Sequence, residues 1–250
     1  MTPFKHAAVL MAALTVAGPA AATDLGSMTD AERAAFRAEV KAYLLENPEV
    51  LMEAIGVLEQ RQAEAAAIND ETLLKTHADA IFNDPASWVG GNPDGDITLV
   101  EFTDYRCGYC RKAYDEVAEL IESDGNIRFI VKEFPILGEQ SVISSRFAIA
   151  VRQVAGDDAY LKAHDALITL RGDATPESLG RLAKDLGLDP AVILAKMDSP
   201  EVAAVIDANH ALGDQLQISG TPTFVVEGTM LRGYVPLDGM RQIVKQQRDG

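Results

Sequence analysis

The chain has 250 residues, 48% of them apolar and 24% charged, with 38 acids against 22 bases and a net charge of −16. The apolar share excludes global disorder, and no run of about 18 apolar residues argues for a membrane span. The acidity excludes nucleic acid as a partner, because phosphate binding needs basic surface, and it disfavours adhesion to anionic membranes. The chain has only two cysteines, and they lie within four residues of each other.

The first 22 residues read as an export signal. Lys5 supplies a positive start, residues 7–17 form an apolar run too short to span a bilayer, and Gly18-Pro19 breaks it. Ala20-Ala21-Ala22 offers a small-residue cleavage site, so cleavage is expected near Ala22. Export places the protein in an oxidising compartment, the periplasm in a Gram-negative host.

Residues 23–86 read as a polar, acidic helical extension. Thr29 with Glu32 forms a capping box that opens a helix, and Phe36, Val40, Tyr43 and Leu44 are the residues it is expected to bury. Asn47-Pro48 stops that helix and starts another, along which Val50, Leu51, Ala54, Ile55 and Leu58 form one apolar stripe. Pro85, Gly90, Gly91, Asn92, Pro93 and Gly95 read as a linker.

The pattern changes at Ile97. Residues 97–103 are β-type, lead straight into Cys107-Gly108-Tyr109-Cys110, and are followed by a helix over 111–121 and a second strand over 127–134. That β-α-β unit implies a parallel strand pair buried under helices, hence an α/β fold over 87–250. Residues 138–218 read as an inserted helical block. Three of its helices open with a polar cap followed by proline: Thr175-Pro176, Asp189-Pro190 and Ser199-Pro200. Residues 223–226 and 230–232 flank Glu227-Gly228 as a hairpin, and an amphipathic helix over 237–248 closes the chain.

A cysteine at a strand-to-helix junction meets unpaired N–H groups that suit a thiolate. Cys107 holds that place. Cys110 lies one turn on, within reach of a disulfide, and Arg106 and Arg111 add positive charge partly offset by Asp104. In this geometry an exposed Cys107 attacks a substrate disulfide and Cys110 resolves the mixed disulfide, or the pair delivers its disulfide to a reduced substrate. A structural disulfide would close too short a loop to constrain the unfolded chain. Zinc would need two more ligands than the pair supplies, and His77, His164 and His210 have no ligand spacing. Two thiols do suffice for Cu(I), so a copper-binding metal-stress protein is the alternative.

Glu101 alternates with Ile97 and Leu99 on a strand expected to be buried on both faces. Buried there, it would have a raised pKa suited to a proton acceptor near Cys110, with Lys132 as a candidate partner. On a strand end it would simply face water. Thr221-Pro222 precedes a strand, where either a cis or a trans proline fits.

These residues carry a resemblance. The stretch 100–110, the helical insertion and Gly220-Thr221-Pro222-Thr223-Phe224 resemble the DsbA-like branch of the thioredoxin superfamily. The resemblance implies a thioredoxin fold with a helical insertion. It implies Cys107 as nucleophile, Cys110 as resolving thiol, Pro222 cis beside them, and Glu101 as a buried acid. Gly108 and Tyr109, with Thr221 and Pro222, would then meet the substrate. The oxidase prototype carries His where Tyr109 stands and Val where Thr221 stands. Cys-Gly-Tyr-Cys with that threonine is similar to DsbC and ScsC-type proteins, isomerases of which kind are oligomers built by an N-terminal extension. Residues 23–86 are therefore either an oligomerisation arm or helices folded back on the thioredoxin domain. The implied activity is formation, reduction or isomerisation of disulfides in exported proteins. No cofactor or metal is called for. The implied partners are reduced or misfolded exported proteins and a DsbB-like or DsbD-like membrane redox protein.

Overall fold

The computed structural model describes residues 28–249, so the expected export signal lies outside the described residues. Two compact units divide at Glu59 and Gln60. In the first, helix α1 (Asp30–Glu46) starts at the expected capping box: Thr29 N–H donates to Glu32 at 2.8 Å, and Glu32 N–H to the Thr29 hydroxyl at 3.3 Å. Asn47 caps its end through Tyr43 O, and helix α2 (Glu49–Thr76) follows Pro48 and runs on into the second unit. The expected burial does not occur. Phe36, Val40 and Tyr43 are exposed, as are Leu51, Ile55 and Leu58 in α2, and α1 buries no residue. The amphipathic stripe is present, but among the described residues of its own unit nothing covers it.

The second unit is built on a five-stranded sheet. Helix α3 (Ala78–Phe82) precedes strand β1 (Trp88–Gly91), and strand β2 (Ile97–Thr103) feeds helix α4 (Gly108–Asp124), which ends at Gly125 in the left-handed region. Strand β3 (Ile127–Glu133) returns parallel to β2, as the β-α-β reading requires. Helices α5 (Glu139–Ala155), α6 (Asp157–Ile168), α7 (Pro176–Asp185), α8 (Pro190–Met197) and α9 (Pro200–Gln215) form the insertion. Strands β4 (Thr223–Val226) and β5 (Thr229–Arg232) make the hairpin, and helix α10 (Leu237–Asp249) closes it. The sheet order is β1-β3-β2-β4-β5, with the β2–β3 pair parallel and the other pairs antiparallel.

The linker reading of residues 85–95 missed β1. Trp88 and Val89 are too short an apolar run to show a strand period, and their partners come from Val131 and Ile130 of β3. The compact unit also begins well before residue 87. Leu74 of α2 and Ile81 of α3 join Val100, Phe102, Ile130 and Val225 in the core on one face of the sheet. The opposite face packs Leu99, Phe129, Val131 and Phe224 against α4, α10 and the insertion. Alternation sends β2 side chains to the two faces in turn. Lys132, paired with Phe102, therefore belongs to the first face, and Glu101, paired with Val131, to the second.

Candidate redox site

Cys107 is the N-cap of α4, and Cys110 lies in its first turn. The turn between β2 and α4 is held by Asp104. Its fully buried carboxylate accepts backbone N–H groups from Arg106 at 2.8 Å, Ile136 at 2.8 Å and Leu137 at 3.0 Å. Asp104 O also accepts the Cys107 N–H at 3.0 Å. The acid noted in the sequence only as offsetting charge is thus the brace of the turn.

Both cysteines are free thiols, and both are buried, at 6% exposure for Cys107 and 1% for Cys110. This corrects the expectation of an exposed Cys107. The turn just ahead of β4 covers it: the Cys107 thiol donates to Thr221 O at 3.0 Å. The Thr221–Pro222 peptide is cis. Gly108 and Tyr109 are exposed beside the pair.

Neither arginine hydrogen-bonds a sulfur. Arg106 donates to Gly172 O at 2.7 Å, and Arg111 Nε donates to Tyr105 O at 2.8 Å. Burial and then the neighbouring Glu101 push the Cys110 thiol far up. Cys110 is thereby kept protonated.

Glu101 is buried on the α4 side, and burial pushes its carboxyl up to about 7, against a hydrogen bond from Thr103. Lys132 is not its partner. Lys132 lies on the other face, where its ammonium donates to Asp84 at 2.7 Å and to Ala80 O at 2.8 Å. A second buried acid was missed in the sequence. Glu133, also pushed up to about 7 by burial, accepts hydroxyl donors from Tyr105 at 2.7 Å and Tyr160 at 2.6 Å. His164 of α6 stands 3.0 Å from the Tyr105 hydroxyl, so Glu133 ties the active-site turn to the insertion. At the surface Tyr109 stacks on Tyr234 at 6.3 Å, and the Lys112 ammonium lies over Tyr234 at 4.1 Å. Only the fold brings Tyr234 there.

A carboxyl whose pKa is higher folded than unfolded binds its proton more tightly in the folded state. Its contribution to stability is complete below the unfolded value of 4.5 and is lost as pH rises through about 7. Glu101→Gln imitates the protonated acid. It is expected to raise the melting temperature more at pH 8 than at pH 5, and an equal change in melts at both pH values would contradict this.

A dithiol at the start of the helix of a β-α-β unit, covered by a cis X-Pro just ahead of β4, defines a thioredoxin-class redox fold. The model of the DSBA-like thioredoxin domain matches residues 98–245, more than half of the chain, and the chain belongs to that family. A second model, the copper resistance protein ScsC N-terminal domain, matches residues 32–65. A thioredoxin-like oxidoreductase from Silicibacter pomeroyi is 41% identical, with 69% of this chain and 98% of that one covered and a TM-score of 0.64. Proteus mirabilis ScsC in a transitional conformation is 30% identical, with 89% and 97% covered and a TM-score of 0.63. Disulfide bond formation protein D of Bacillus subtilis is 24% identical over 174 residues, 65% of this chain and 77% of that protein. Other curated relatives are Na(+)/H(+) antiporters, such as NhaA 1 of Salinispora arenicola at 29% identity, and the chain spans only 24% of that protein's length.

Proposed function

We propose that the protein is a periplasmic thiol:disulfide oxidoreductase that exchanges disulfides with exported proteins through Cys107 and Cys110. The observation that carries this is the asymmetry of the pair: Cys107 at the helix cap against Thr221 O, Cys110 buried in the first turn at 1% exposure. The Cys107 thiolate attacks one sulfur of a client disulfide, forming a mixed disulfide and expelling the client's second thiolate. Cys110 then loses its proton to Glu101 and attacks the Cys107 sulfur. The client's first thiol leaves, and a Cys107–Cys110 disulfide remains. Run backwards, the same steps oxidise a reduced client. A membrane thiol-redox protein, DsbB-like or DsbD-like, then resets the pair.

Clients dock along the Thr221–Pro222 edge and the exposed Tyr109. Ile136 and Leu137, the two exposed apolar residues beside Asp104, extend that surface. The copper alternative needs both thiols deprotonated. The upward push on Cys110 opposes that, whereas exchange needs only one thiolate at a time.

The N-terminal arm is read as an oligomerisation element. Phe36, Val40, Leu44 and Leu51 line a depression of about 420 Å³ that leaves apolar surface in water. A second copy would cover it. Refolding of a scrambled multi-disulfide protein, with the native mass recorded alongside, tests both readings. Recovery of the client and a particle of several chains are expected. No exchange on scrambled or reduced client would overturn the oxidoreductase. A monomer that oxidises without shuffling would overturn the arm's role and limit the activity to oxidation.

A further inference from the structure

Along α4 from Tyr114 to Glu122, a cavity of about 300 Å³ opens between α4, α6 and the sheet. That is the lower end of small-ligand pocket sizes. Trp88, Phe129, Tyr114, Ile121 and Leu161 wall it. Its charged lining is acidic, Glu101, Glu122 and Asp165, with no lysine or arginine; His164 also lines it, and burial pushes that imidazole down to about 4, so it is neutral there. Asp165 already accepts the Tyr114 hydroxyl at 2.7 Å. Glu101, only 6% exposed, is different: among the described residues Thr103 alone is placed to lower its carboxyl by hydrogen bonding, and a carboxylate has room for about four such bonds. The cavity therefore joins apolar aromatic walls to a buried carboxyl with acceptors to spare.

We propose that this cavity binds a small organic cation, a primary ammonium on an aromatic or branched aliphatic body, with its N–H groups on Glu101. Charge selects the class. An anion would meet three carboxyls and no cation, and a neutral molecule would leave Glu101 as it is. An ammonium pairs with Glu101 and faces aromatic rings that attract cations. Burial pushes Glu101 up to about 7, so it offers its charge above that pH, and affinity rises from pH 6 to pH 8 while the amine stays protonated. On the reading of Glu101 as the proton acceptor for Cys110, an occupant that holds Glu101 ionised weakens it as a base. Binding and resolution of the mixed disulfide are then coupled.

Trp88, the only tryptophan in the chain, lines the cavity, so its fluorescence reports an occupant. The test is titration of the full chain with phenethylamine, 2-phenylethanol and 3-phenylpropionate. Phenethylamine is expected to saturate the signal at least about tenfold more tightly than the alcohol, a difference fitting one charge-assisted contact. The propionate is expected to give no response. Glu101→Gln should erase the preference for the amine, and Ala118→Phe, at the lining, should remove binding altogether. No saturable change with the amine to about 10 mM, equal binding of amine and alcohol, or a preference that survives Glu101→Gln would each overturn the proposal. Cys107→Ser should bind the amine like the native chain, so loss of exchange and loss of this site are read separately.

Discussion

Replacing Cys107 by serine is expected to lower disulfide exchange by at least about a thousandfold, to the rate without protein. A serine hydroxyl at the same helix cap is not ionised near neutral pH and cannot form the mixed disulfide. Cys110→Ser should behave differently. Its first attack survives, because the Cys107 cap, the Asp104 brace and the Thr221 contact are untouched. The second attack is lost, so mixed disulfides with clients accumulate and turnover stops. Insulin reduction with non-reducing electrophoresis separates the two. If the serine variants behaved alike, the assignment of Cys107 as nucleophile and Cys110 as resolving thiol would be wrong.

Asp84→Ala is the second substitution with a large expected effect, and it acts on stability. The Lys132 side chain is 1% exposed, and its ammonium is held by Asp84 at 2.7 Å and Ala80 O at 2.8 Å. Asp84 also accepts Ala86 N–H at 2.9 Å and the Ser87 hydroxyl at 2.8 Å, just before β1. Burial works against both charges, yet these bonds hold the Asp84 carboxyl below its ordinary range. Removing the acid leaves a buried ammonium with one partner. The expected cost is about 3 kcal/mol, the low end for a broken buried pair because Asp84 is partly exposed. In a unit of this size that lowers the melting temperature by roughly 6–12 °C. Adding Lys132→Met should recover much of the loss, since the buried charge goes with it. A change below about 1 kcal/mol in chemical denaturation, where exposed pairs lie, would show that the pair does not hold this corner.

What the sequence made legible divides along physical lines. The β-α-β unit, the proline-capped insertion helices, the hairpin and the position of Cys107 follow from local pattern: period-two strands, polar caps and a turn with few choices. Glu101's burial followed from alternation along β2. Elements that depend on a distant partner were not legible. Trp88–Gly91 is a strand because β3 offers it an edge, and nothing in the local sequence marked Glu133 as the acid that Tyr105 and Tyr160 reach across the fold. Lys132 was set beside Glu101 because adjacent strands suggest contact, but their register assigns the two side chains to opposite faces. The arm shows the reverse failure. Its apolar spacing was read correctly, but spacing does not say whether the covering surface belongs to the same chain.

The central claim is that Cys107 and Cys110 form one reversible two-electron couple. Equilibrating the protein in a series of glutathione redox buffers, quenching with acid and mapping the thiols by mass tests it most directly. The account predicts one transition between a dithiol and a Cys107–Cys110 disulfide, with no stable glutathione adduct on Cys110. Cysteines that stay reduced throughout, or that take glutathione independently without joining, would contradict it.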